Sequence, residues 1–126
     1  MADVSVRLAC DSISCAALLK EAQTRATLGM VLWPAVSETI MNLRGIGKWL
    51  SDLEIRRAID SGRITDRHRI KRPTNCWVIT LIGFDSEGEP LGVILHLPVC
   101  STGILEVTEA FYFPFEFQLA GEVHWK

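Results

Sequence analysis

The chain has 126 residues, 48% of them apolar and 22% charged, with a formal net charge of −2. That balance excludes a disordered chain and a strongly basic nucleic-acid coat, and no apolar run approaches the ~20 residues a membrane helix needs. One domain spanning residues 1–126 is the simplest organisation, with 1–48 as an N-terminal helical extension and 50–120 as a helix-plus-sheet core.

The opening MADVSVRLAC interleaves charged and apolar residues and has no signal-peptide core, so a cytoplasmic protein is expected. Cys10, Cys15, Cys76 and Cys100 are scattered, as buried free thiols in a reducing compartment would be. CDSISCAALLKEAQTRATLG predicts a helix capped by Asp11, Ser12 or Ser14 and ended by Gly29. Ile13, Ala16, Leu19, Gln23 and Ala26 trace a mixed face, so its packing stripe is thin and completed by Leu18 and Ala22. PAVSETIMNLRG predicts a second helix, with Pro34 in the first turn and Val36, Ile40 and Leu43 at helical spacing. In SDLEIRRAIDSG, Ser51 and Glu54 make a capping box for a third helix. Ile55, Ala58 and Ile59 form its buried stripe, and Gly62 closes it.

RITDRHRIKR, residues 63–72, then packs five cations and a histidine into ten positions. Charge is segregated along the chain: residues 44–72 hold nine cations against four acids, and 73–126 hold one against seven. The block is either a polyanion surface built from Arg63, Arg67, Arg69, Lys71 and Arg72, or a charged edge strand that resists aggregation. Its arginines can also pair with the acidic half, Glu109 being one candidate partner. Straight alternation puts Arg63, Thr65, Arg67 and Arg69 on one side, and Ile64, Asp66, His68 and Ile70 on the other.

From there the period becomes 2. CWVITLIGF and LGVILHLP, joined by DSEGEP, predict an antiparallel hairpin over 77–97, and ILEVTEAFYF predicts the next strand. Glu109 shares the parity of Leu105, Val107 and Phe111, an anomaly that a bulge would remove. Phe111, Phe113, Phe115 and Phe117 form one stripe, and Pro114 assigns that strand to an edge. An apolar edge needs a cover, and a second copy across a two-fold axis is the expected one, giving a homodimer. Helices followed by strands indicate an α+β fold: N-terminal helices on a three- or four-stranded antiparallel sheet in meander order. His68, His96 and His124 lack ligand spacing, so no metal and no cofactor are expected. His96 reads as a hydrogen-bonded sheet histidine.

From Leu50 to Ala110, the capped helix, IDSG, the hairpin GFDSEGEPLGVI and the strand ILEVTEAF resemble a small uncharacterised bacterial domain family. Its members read as helix, glycine, strand, GxDxxGxPLxVV hairpin and final strand, and it is grouped distantly with the RelE-like and MqsR-like toxin fold. The resemblance implies helices on a small antiparallel sheet and, through the toxin members, RNA cleavage within a toxin–antitoxin system. The family's first helix often opens with a His-Ala pair and a following arginine. SETIMNLRG has no histidine, and Arg44 is the nearest counterpart of that arginine. Metal-independent RNA cleavage needs a proton acceptor, a proton donor and cations around the phosphate. His68, Tyr112 and Glu109 are the catalytic candidates. The leading expectation is a non-enzymatic binding or interaction module on a RelE-like scaffold, its partner a protein or RNA. The alternative is a ribonuclease-like toxin acting on RNA through residues 63–72.

Overall fold

A computed structural model describes residues 4–33, 39–41, 47–49 and 51–112. Among these residues three helices, α1 (Val4–Leu8), α2 (Cys15–Thr27) and α3 (Asp52–Ser61), accompany seven strands. The strands are β1 (Val31–Leu32), β2 (Thr39–Met41), β3 (Gly47–Trp49), β4 (Arg63–Ile70), β5 (Cys76–Phe84), β6 (Pro90–Pro98) and β7 (Leu105–Tyr112).

The Ser14 side chain caps α2 by accepting from the Ala17 amide, and Gly29 follows the helix at φ +77°. Leu18, Ala22, Arg25 and Ala26 form its buried stripe. Ser51 accepts from the Glu54 amide at the start of α3, and Ile55, Ala58 and Ile59 are buried as the spacing predicts. Glu54 does not complete the box: its carboxylate takes the amide and hydroxyl of Ser86 instead, tying α3 to the β5–β6 turn. Gly62 has φ −85°, so its role is not a left-handed cap. A Cβ on Gly62 or Gly83 would run into the backbone of Ala58, so the two glycines let α3 lie against β5.

One expectation for the first half of the chain fails, and one element there was not foreseen. Residues 39–41 are not helical but pair with β3, Thr39 opposite Trp49 and Met41 opposite Gly47. The β-branched Thr39 and Ile40 favour extended backbone, which outweighs a few apolar residues at helical spacing. The short α1 was not legible: five residues cannot sustain a helix by propensity, and burial of Leu8 supplies the anchor.

The α+β class holds, but the main sheet is five-stranded and mixed rather than a three- or four-stranded antiparallel meander. Its order is β1-β7-β6-β5-β4, with β1 parallel to β7 and the other pairs antiparallel. The 77–97 hairpin is its centre, Trp77 facing Leu97. A two-residue β1 is too short to show a period, while β4 at the other edge takes the charged edge-strand reading of the basic block.

Bulges decide which side chains face where. In β4 the register slips at Thr65, so Arg67 and Arg69 join Ile64 on the helix-covered face, while Asp66, His68 and Ile70 take the other. In β7 it slips at Thr108, turning Glu109 to solvent opposite Ile94. Ile79, Leu81, Val93, Leu95, Leu97 and Leu105 are fully buried beneath Leu18, Ala22, Ile55 and Ile59. Each contributes roughly 1.5–3 kcal/mol by leaving water. Contrary to the expectation of buried thiols, Cys10, Cys15 and Cys100 are exposed and only Cys76 is buried. No helix among the described residues is long and apolar enough to cross a membrane.

Candidate functional site

The basic block divides between the two faces. Trp77 is buried on the helix-covered face, with the Arg67 and Arg69 guanidinium carbons 5.1 and 5.8 Å from its ring centre. Its Nε1 donates to the Leu8 carbonyl at 2.8 Å. Arg67 donates to the Ile13 carbonyl, and Arg69 to the Ala9 carbonyl, Asp11 and Asn75. The two central arginines therefore fasten the segment after α1 onto the sheet rather than pairing with the acidic C-terminal half. Glu109 in particular lies on β7, three strands from β4, and meets neither. Arg63, Lys71 and Arg72 are exposed, as is His68.

Tyr112 is on the helix-covered face too, 2% exposed, and its hydroxyl donates to Asp85 Oδ2 at 2.9 Å. Burial first, then this bond and the Asp85 charge, push the phenol far above its usual range. Asp85 Oδ1 accepts the amides of Glu87 and Glu89, holding the turn whose tip is Gly88 at φ +80°. This is a folded brace for the hairpin. Tyr112 and His68 thus lie on opposite faces, and the structure does not bring the catalytic candidates His68, Tyr112 and Glu109 together. Phe111 lies on the open face beside Gly92, while Phe113, Phe115 and Phe117 fall outside the described residues.

Among the described residues no helix packs on that second face, and it holds a different polar set. One cross-strand row reads His68, Val78, His96, Glu106, each directly paired with the next across β4 to β7. Cys76, paired with Pro98, is the diagonal neighbour of His96. Thr74, Cys76, His96 and Glu106 converge on a cleft of about 410 Å³ whose aliphatic walls include Leu32, Pro98 and Ile104. Leu32 and Ile104 are 58% and 57% exposed, an apolar rim with no cover among the described residues. A second cleft, at Ser61 and Asp85, uses groups already committed to the hairpin turn.

Burial raises the Cys76 thiol above its usual range, and the Glu106 carboxylate adds to the shift. Cysteine nucleophiles need the opposite shift and a hydrogen-bonded base. No hydrogen bond links Cys76, His96 and Glu106, nor joins the His96 imidazole to any described residue, which corrects its reading as a satisfied sheet histidine. No group of three or more metal-ligating side chains is arranged for a metal among the described residues. A protonated thiol, an imidazole and a carboxylate thus meet beside apolar walls.

Sequence reading missed this cleft, although the hairpin carried part of it. Counting back from the DSEGEP turn places Cys76 and His96 on one face; Glu106 takes that face by alternation with Leu105 and Val107, and the bulge at Thr108 sets it opposite His96. Comparisons with protein-family models, curated proteins and solved structures each return no match.

Proposed function

We propose that this chain is a non-enzymatic binding module on a RelE-like scaffold, working in the cytoplasm and taking its ligand in the cleft between β1, β5, β6 and β7. The supporting observation is a cleft of ligand size in which Cys76, His96 and Glu106 converge without bonding to one another. Polar groups on an apolar-walled surface, unspent on the fold, are what a binding site needs. A fragment mixture added to the isotopically labelled chain should shift the amides of residues 95–97 and 105–107. Those shifts should vanish in Leu32→Ser/Ile104→Ser. Shifts confined to other surfaces, or none at all, would discard the cleft.

A ribonuclease-like toxin is the second reading, supported by the exposed Arg63 and His68 along β4 and Lys71 and Arg72 in the β4–β5 connection. Arg67 and Arg69 could serve a phosphate only after releasing the N-terminal segment. Induced expression should then arrest growth and degrade RNA, with Arg63→Ala/Arg72→Ala relieving both. A harmless parent chain removes this alternative. The homodimer belongs to the same proposal, since Phe111 on the open face begins the sequence stripe of Phe113, Phe115 and Phe117. A monomer by light scattering at ~100 μM would rule it out.

A further inference from the structure

Resting on the cleft as a binding site, we infer that its ligand is a small organic cation: a primary amine carried on a compact apolar body. The charge complement points there. Among the described residues, Glu106 supplies the only formal charge in the lining, which includes no described lysine or arginine. Its field already acts inside the cleft, because it disfavours a second negative charge on Cys76. A carboxylate or phosphate ligand would meet the same repulsion and find no cation to offset it.

The hydrogen-bonding inventory agrees. An ammonium has three donors and no acceptor, so it needs a cluster of acceptors around one point. Glu106 offers carboxylate oxygens, His96 a ring nitrogen and Thr74 a hydroxyl oxygen, all in the same lining. Direct cross-strand pairing of His96 with Glu106 sets their side chains side by side. The neutral thiol of Cys76 adds a polarisable wall rather than a second charge. Beside these groups stand Leu32, paired with Glu106, Pro98, paired with Cys76, and Ile104, too aliphatic to reward a polar body. A cleft of about 410 Å³ lies toward the small end of ligand sites, suiting one ring or a short branched chain rather than a nucleotide.

The test uses three probes with one body: 2-phenylethylamine, 2-phenylethanol and 3-phenylpropanoate, titrated into the full chain and followed by amide shifts at residues 95–97 and 105–107. The amine should bind about ten-fold more tightly than the alcohol, and the acid should not bind, as one charge-assisted contact predicts. Glu106→Gln should erase the amine's advantage over the alcohol, with circular dichroism confirming the fold. Equal affinities for amine and alcohol at the cleft would overturn the amine and leave the cleft standing. Binding of the acid in preference would do the same. Failure of all three probes to reach those amides, with fragments also silent, would overturn the cleft itself. Tighter binding of Nα-acetyl-lysine methylamide than of 2-phenylethylamine would reassign the site to a protein side chain, against a free amine.

Discussion

The two faces of the five-stranded sheet treat polar side chains in opposite ways. On the helix-covered face, Trp77 Nε1, Arg67, Arg69 and the Tyr112 hydroxyl are each bonded to a distant part of the chain. These contacts span 27 to 69 residues of sequence. On the open face, Cys76, His96 and Glu106 are equally close neighbours, yet no hydrogen bond links them. Buried polar groups must be satisfied or the fold loses stability, so the covered face reports on folding. Polar groups left over beside exposed aliphatics have no such explanation. Charge density in the sequence pointed to the first face, but chemistry without an internal partner is on the second.

The comparison breaks most visibly at Trp77. It is the ring both arginines cover and the donor that holds the end of α1. Trp77→Ala should lower unfolding free energy by about 3–5 kcal/mol, read from urea melts. Trp77→Phe, which keeps a ring and drops the Leu8 bond, should lose about 1–2 kcal/mol. If Trp77→Ala is nearly silent, the arginine stack is not a structural latch, and the basic block returns as a candidate surface.

A smaller effect separates the faces by pH. Both Cys76 and Tyr112 have their ionisation pushed up in the folded chain, so folding favours their neutral forms. A raised folded-state pKa contributes stability that is complete below the unfolded value and is lost as pH climbs above it. Those unfolded values are 9.0 for the thiol and 10.0 for the phenol. The urea midpoint should therefore hold to about pH 9 and fall beyond. Tyr112→Phe should remove about 1–2 kcal/mol at neutral pH, with the loss of its bond to Asp85, and flatten the decline above pH 10. An unchanged alkaline slope in that variant would mean the hydroxyl is not the titrating group.

What the sequence disclosed follows from how local each signal is. Ser51, Ile55, Ala58 and Ile59 defined α3 because capping and helical spacing act within a few residues. The β5–β6 hairpin was readable for the same reason, its turn and both strands being contiguous. β1 was not, since two residues carry no period and their pairing with Leu105 and Glu106 is a long-range event. Nor were the bulges at Thr65 and Thr108, and each reversed a facing that mattered. The first hid Arg67 and Arg69 against Trp77. The second cleared Glu109 from the core and aligned Glu106 with His96.

The smallest expected effect is the sharpest test of the contrast. His96→Ala and Glu106→Gln remove side chains that bond to nothing among the described residues and sit on a face no described helix covers. Surface changes of this kind ordinarily move stability by no more than ~0.5 kcal/mol in either direction. Each variant should melt in urea with the parent chain, while Trp77→Ala does not. Losing Glu106 should even relax Cys76 toward its usual range, because burial would then be the only upward push left. Alkylation of Cys76 at pH 9 should accordingly quicken in Glu106→Gln, without any change in the unfolding midpoint. A loss of more than ~1 kcal/mol in either open-face variant would show these groups to be part of the fold. The two faces would then differ only in exposure, and the cleft would have no polar groups to spare for a ligand.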